Sequence, residues 1–71
     1  MVFFFERQAQ FIRCESRPAD GGSGYELLVL YPDGREEIEY FTDTVDLNRR
    51  QQELQVALVS AGWFGPHGRV I

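Results

Sequence analysis

Apolar and polar residues alternate along much of the chain before residue 43, a spacing typical of strands with one buried face. Residues 25–31 are almost wholly apolar and rich in β-forming side chains, and residues 35–42 resume the alternation. Between them stands Pro32-Asp33-Gly34, in which proline presets the second position of a turn and glycine accepts a positive φ. The pattern predicts a β-hairpin, and a looser alternation over residues 9–17 predicts a third strand.

From Asp43 onward the apolar residues recur at the period of one helical face, which predicts a helix over residues 45–61. The residues that share this face are Leu47, Leu54, Leu58 and Ala61. Three residues near the start can cap the first turn: Asp43, Thr44 and Asp46. Gly62 suits the left-handed position beyond the last turn, and residues 63–71 are expected to form an irregular tail.

A run of strands followed by a helix is typical of an α+β fold. The expected architecture is a three-stranded antiparallel meander sheet with one C-terminal helix packed on one face, and a fourth strand if residues 2–6 also pair. Because no repeat or linker divides the chain, we expect residues 1–71 to form a single small domain.

One helix covers only one face of such a sheet, and the strand residues divide between the two faces by alternation. The residues expected beneath the helix are Leu28, Leu30, Ile38 and Tyr40, joined by Ile12 and Cys14. The opposite face is then also apolar and aromatic, with Tyr25, Leu27, Val29, Tyr31 and Phe41, and Phe11 as a further candidate. A contiguous patch of this kind usually marks an interaction site. Three covers are available: the segment Phe3–Phe5, a second copy of the chain, or an external ligand.

Length and cysteine content limit what can stabilise this fold. In a chain of 71 residues one core seldom supplies more than ~3–5 kcal/mol, so small domains rely on disulfides, metals or oligomerisation. The single cysteine excludes an internal disulfide and a Cys/His-rich zinc site. Self-association as a homodimer is therefore favoured.

The hydrophobic runs are also informative about location. None approaches the ~20 apolar residues that span a bilayer, so no membrane partner is expected. The apolar segment Met1–Phe5 ends at Glu6 and has no basic region before it, unlike a secretory signal. The expected location is the cytoplasm, where the thiol of Cys14 stays reduced.

No group of residues in the sequence matches a catalytic or cofactor site. The cluster Glu36, Glu37 and Glu39 is typical of charges that protect a sheet edge from pairing with other molecules. No motif links Cys14 with His67 as a nucleophile and its base, and the glycine loop at 21–24 lacks the lysine of a phosphate-binding loop. We therefore expect a protein that is not an enzyme and binds no cofactor.

Two functions remain open. The first is an interaction module of unknown biological role that associates with itself, or with a protein partner, through the face opposite the helix. The second is a single-stranded nucleic-acid-binding domain that uses the same aromatic face and an arginine strip, with Arg13, Arg17, Arg49 and Arg50 as candidate basic contacts. The order of strands and helix resembles that of the dimeric single-stranded-DNA-binding transcription cofactors, although none of their motifs is present. A net charge of −4 disfavours phosphate contacts.

Overall fold

The computed structural model of the protein describes residues 1–69, with the backbone alone at Arg69. Within this range lie one helix and five strands: β1 (Val2–Arg7), β2 (Gln10–Pro18), β3 (Tyr25–Leu30), β4 (Glu36–Phe41), α1 (Thr44–Ser60) and β5 (Phe64–Arg69). The strands form one antiparallel sheet in the order β4-β3-β2-β1-β5. The α+β class with an antiparallel sheet is therefore confirmed.

The number of strands and the place of the helix differ from the prediction. β5 follows α1 and pairs with β1, so the helix is not C-terminal and the predicted irregular tail begins with a strand. Residues 70 and 71 of that tail lie outside the described part of the chain. The segment at residues 2–6 does form a strand, but β1 lies between β2 and β5 in the sheet instead of covering a face.

The turn between β1 and β2 explains why this hairpin gave no signal in the sequence. Its two central residues, Gln8 and Ala9, have φ values of 50° and 65°. Two-residue hairpin turns often require positive φ at both positions and favour Asn-Gly or Asp-Gly there. Gln-Ala is not such a pair, so only the register of β1 on β2 reveals the turn.

The turn between β3 and β4 confirms the predicted hairpin. The Tyr31 amide donates to the Arg35 carbonyl at 2.9 Å, and the Gly34 amide donates to the Tyr31 carbonyl at 3.0 Å. Gly34 has a φ of 90°, the left-handed conformation for which glycine was expected. The Asp33 carboxylate also accepts from the Arg35 amide at 2.9 Å and closes the turn.

Both ends of α1 are capped as the sequence predicts. Asp43 is the N-cap, and its carboxylate accepts from the Asp46 amide at 2.9 Å. Gly62, with a φ of 93°, follows the last turn, and the Trp63 amide then donates to the Leu58 carbonyl at 3.0 Å. This reversal brings Trp63 onto the core, where it is 7% exposed.

The core lies between α1 and one face of the sheet, and it overturns the predicted assignment of faces. Its buried members are Phe3, Phe5, Ile12, Cys14, Leu27, Val29, Leu47, Leu54, Leu58 and Trp63, with Tyr25, Tyr31 and Phe41 partly buried against them. Ile12 and Cys14 were expected there, but Leu28 and Leu30 are only half-buried on the other face. Ile38 and Tyr40, also expected beneath the helix, are 45% and 71% exposed. The set predicted to face away from the helix, Tyr25, Leu27, Val29, Tyr31 and Phe41, lies beneath it.

Charges on β4 account for the error. Glu37 and Glu39 share a face with Val29 and Leu27, so the helix-covered face carries two carboxylates at its edge. α1 and the strand ends stabilise both: Arg50 Nε donates to Glu39 at 2.9 Å, and the Tyr31 hydroxyl donates to Glu37 at 2.8 Å. Both partners come from outside β4, so the sequence of β4 alone does not show that this face can be covered.

Candidate binding surfaces

The sheet face that points away from α1, here called the open face, is the larger candidate surface. Strand pairing places the following side chains on it: Val2, Phe4, Glu6, Phe11, Arg13, Glu15, Arg17, Glu26, Leu28, Leu30, Glu36, Ile38, Tyr40, Phe64 and His67. The open face combines two apolar margins with a charged strip between them. Of the residues predicted to face away from the helix, Phe11 alone lies here.

The first margin, called the aromatic margin, is formed where β1 meets β2 and β5. Phe4 stands beside Arg13 on one neighbouring strand and His67 on the other, while Glu6 separates Phe11 from Phe64. Phe11 is 53% exposed and Phe64 is 70% exposed, so both side chains are accessible to a partner. The aromatic margin therefore offers flat apolar contacts on rigid strands.

The second margin, called the β4 patch, lies at the opposite edge of the sheet. Leu28 pairs with Ile38, and Tyr40 stands beside Glu26. The half-buried leucines of β3 form its base, while the β4 side chains project into solvent. The patch therefore places an exposed tyrosine and an exposed isoleucine on an edge strand.

The charged strip between the margins is already paired within the chain. Arg13 Nη1 lies 3.2 Å from Glu15 Oε1, and Arg17 Nη1 lies 3.9 Å from the same oxygen. Arg17 also donates through Nε to Glu26, which is 7% exposed. This hydrogen bond is the main cause of the raised pKa of the Arg17 guanidinium. Both arginines predicted as phosphate contacts on the sheet are therefore held by carboxylates.

The other predicted basic contacts lie elsewhere. Arg49 and Arg50 are on α1, across the sheet from Arg13 and Arg17, so the four do not form one strip. Arg49 Nη1 lies 3.2 Å from Asp46 Oδ1, and Arg50 binds Glu39. The structure therefore divides the predicted arginines between two sides of the molecule.

A second candidate surface, called the terminal pocket, lies at the end of the sheet where β1 and β3 terminate. These two strands run in the same direction because both are antiparallel to β2, so Arg7 and Tyr31 emerge at the same end. The pocket has a volume of about 320 Å³ and is lined by Arg7, Gln10, Tyr31, Pro32, Asp33, Arg35 and Trp63. Neither Arg7 nor Arg35 is among the basic contacts predicted from the sequence.

The guanidinium carbon of each arginine in the terminal pocket lies over an aromatic ring. The Arg7 guanidinium carbon lies 4.5 Å from the centre of the Trp63 ring, and that of Arg35 lies 4.3 Å from the centre of the Tyr31 ring. Arg7 Nη1 also donates to the carbonyl of Ala61 at 2.9 Å, at the end of α1. Neither guanidinium is within 4.0 Å of a carboxylate among the described side chains.

The titratable groups considered for catalysis are not brought together. Cys14 is fully buried on the helix side of the sheet, and burial raises the pKa of its thiol to about 11, so it stays protonated at neutral pH. His67 lies on the open face, with Nε2 3.9 Å from Glu6 Oε1. Among residues 1–69 no three His, Cys, Asp or Glu side chains are grouped as metal ligands.

Comparisons with known protein families, curated proteins and solved structures return no match. The helix present in the described part of the chain is too short and too polar to cross a membrane.

Proposed function

We propose that this protein is a non-enzymatic interaction module that binds a second copy of itself through the open face. The observation that carries the proposal is the exposure of Phe11, Phe64, Ile38 and Tyr40 on this one face. Solvated faces of antiparallel sheets usually carry polar side chains, whereas this face has an exposed apolar cluster at each of its two margins, and exposed apolar clusters mark contact surfaces.

The apolar area on the open face is in the range that an interface needs. At ~200 Å² for each aromatic side chain, the exposed fractions of Phe11, Tyr40 and Phe64 amount to roughly 400 Å². A standard interface buries about 800 Å² on each partner. The three rings would supply about half of that area, and the side chains between the two margins would supply the rest.

The charged strip favours a protein partner over a strongly charged ligand. Arg13 and Arg17 are bound to Glu15 and Glu26, so packing another surface over them leaves no unpaired cation. A buried pair costs much less than a single buried charge. Among its described side chains the open face has two arginines and four glutamates, an excess of negative charge that opposes phosphate.

Substitution of Phe11 by glutamate tests the proposal. Sedimentation equilibrium is expected to show the wild type as a dimer and Phe11→Glu as a monomer, because the new carboxylate would be desolvated at the interface. Val56→Glu is the matched control, since Val56 is 64% exposed on α1, away from the open face. It is expected to leave the dimer intact, and circular dichroism checks that both variants fold.

Two results would contradict self-association through this face: a wild type that remains monomeric at every concentration, or a Val56→Glu variant that dissociates as readily as Phe11→Glu. A second substitution, Tyr40→Glu, tests the β4 patch independently. If only the aromatic margin is needed, Tyr40→Glu will dimerise normally, and the interface is then restricted to β1, β2 and β5.

The aromatic margin also supports the alternative of single-stranded nucleic-acid binding. A shallow depression there is lined by Phe4, Phe11, His67 and Gly68, and rings on a rigid sheet can stack unpaired bases at about 1–3 kcal/mol each. Fluorescence anisotropy with a labelled oligothymidylate, measured at low and high salt, tests this function. Binding that weakens with salt and is lost in Phe11→Ala would favour it; no binding at low salt would exclude it.

A further inference from the structure

We propose that the terminal pocket binds a phosphate group through Arg7 and Arg35. The pocket lies on the helix side of the sheet, so this inference does not depend on self-association through the open face. Four other arginines, Arg13, Arg17, Arg49 and Arg50, lie within 4.0 Å of a carboxylate. Among the arginines whose side chains the structure describes, the two that are not paired in this way, Arg7 and Arg35, line the same pocket.

Contact with the aromatic rings positions both guanidiniums and leaves their N–H groups able to donate to a ligand. A guanidinium contacts an aromatic ring through its flat face, while all of its N–H groups lie in its own plane and point outward from the edge. Arg7 donates one hydrogen bond to the Ala61 carbonyl, and its other N–H groups can donate to a ligand. The rings of Trp63 and Tyr31 thus restrict where the donors of Arg7 and Arg35 point, which lowers the ordering cost of binding.

The other groups of the pocket define the kind of ligand. Two guanidiniums face one carboxylate, that of Asp33, so the pocket is positive in a chain with a net charge of −4. The Asp33 carboxylate also accepts a hydrogen bond from the Arg35 amide, so one of its two oxygens is already bound within the turn. The Glu37 carboxylate accepts a hydrogen bond from the Tyr31 hydroxyl. That hydroxyl lies at the edge of the ring whose face Arg35 contacts. A compact oxyanion that accepts several hydrogen bonds fits this arrangement.

Phosphate satisfies that description better than a flat or extended ligand. Trp63 is buried and the face of Tyr31 is occupied by Arg35, so neither ring is free to stack on a base. Recognition then depends on charge and on hydrogen bonds from planar guanidiniums, which match the oxygen geometry of phosphate. The phosphate can be free or carried by a phosphorylated side chain, because a phosphate monoester keeps three terminal oxygens that can accept hydrogen bonds.

Trp63 provides a direct assay, since it is the only tryptophan of the chain and lies against Arg7. Inorganic phosphate, titrated at constant pH and ionic strength, is expected to change Trp63 fluorescence saturably, with a dissociation constant on the order of millimolar. Chloride titrated in the same way is expected to cause no saturable change. O-phosphoserine forms the second arm: a similar change shows that an esterified phosphate also binds, and a response to inorganic phosphate alone limits the site to the free anion.

Matched variants attribute the response to the pocket. Arg35→Gln is expected to weaken phosphate binding about tenfold, because charge-assisted hydrogen bonds are lost. Asp33→Asn keeps an acceptor for the Arg35 amide, removes the opposing charge and is expected to tighten binding. Arg49→Gln removes an equal charge from α1, outside the pocket, and is expected to leave binding unchanged.

Three results would overturn the proposal: no saturable response to either phosphate compound, equal binding by Arg35→Gln and the wild type, or the same loss in Arg49→Gln as in Arg35→Gln. NMR of the arginine Nε–H groups in the wild type tests Arg7 without a substitution, which would also remove its hydrogen bond to the end of α1. Phosphate must shift the signals of Arg7 and Arg35 more than that of Arg49.

Discussion

Leu27 and Leu28 are adjacent leucines on opposite faces of the same strand, so truncating each one measures which face is buried. Leu27 is 1% exposed and belongs to the core, whereas Leu28 is half-buried on the open face. Replacing a buried leucine by alanine costs about 2–5 kcal/mol, through lost apolar burial and the cavity that remains. For Leu27→Ala we expect about 3 kcal/mol, and for Leu28→Ala about 1 kcal/mol or less, because solvent already reaches that side chain.

Urea unfolding, followed by the fluorescence of buried Trp63, compares the two variants in the Phe11→Glu background, where the open face is expected to stay uncovered by a second copy. With a slope of about 1 kcal/mol per molar urea, a difference of ~2 kcal/mol separates their midpoints by about 2 M. If Leu27→Ala is unfolded without urea, Leu27→Val gives a smaller change at the same site. Equal destabilisation by Leu27→Ala and Leu28→Ala, or a larger effect of Leu28→Ala, would refute the assignment of faces.

Three further predictions test local features of the fold. In urea unfolding, Gly24→Ala is expected to destabilise the protein more than Gly21→Ala. Both glycines have positive φ, but a Cβ at Gly24 would lie 2.5 Å from the Phe41 carbonyl oxygen, whereas a Cβ at Gly21 would meet nothing within 4 Å. Burial raises the pKa of the Cys14 thiol from 9.0 to about 11. The folded protein therefore keeps a proton that the unfolded chain loses, so stability is complete below about pH 9 and falls as the pH rises toward 11. Urea midpoints across this range should decline more steeply for the wild type than for Cys14→Ala. Asp43→Ala removes the N-cap acceptor and is expected to lower the free energy of unfolding by about 1 kcal/mol in the same assay. An unchanged free energy of unfolding would show that the cap does not stabilise α1.

Features determined by a few neighbouring residues could be predicted from the sequence. The turn around Gly34, the N-cap at Asp43 and the left-handed Gly62 each depend on contacts within about five residues, and each is present. The period of α1 was equally clear, because Leu47, Leu54 and Leu58 lie on one face of it. Local chemistry was sufficient for these elements.

Features that depend on contacts between distant elements could not be predicted. Both alternating sets of β3 are apolar, so the choice of buried face depended on β4, where Glu37 and Glu39 pointed to the wrong side. Their partners, Tyr31 and Arg50, come from other elements. β5 was missed because Phe64–Arg69 contains two glycines and a proline, a composition that argues against a strand.

The candidate surfaces were predicted only in part for the same reason. Phe11 was expected on the side away from the helix, and it is there. Phe64 and His67 join it only because β5 pairs with β1, a contact between opposite ends of the described chain. Which arginines are free of carboxylates depends on the register of strands and on the position of α1, neither of which spacing along the chain reveals.

The pairing of arginines makes the two proposals experimentally separable. On the open face Arg13 and Arg17 are paired with glutamates, so contact there depends on apolar area. Added salt is expected to leave self-association unchanged or to strengthen it, because salt screens the repulsion between two faces with an excess of glutamates. In the terminal pocket the guanidiniums of Arg7 and Arg35 lack such partners, so phosphate binding is expected to weaken as ionic strength rises. If self-association weakened with salt as strongly as phosphate binding did, charge and not apolar contact would hold the copies together. That result would contradict the open face as the interface, and it would leave the proposal of phosphate binding in the terminal pocket unchanged.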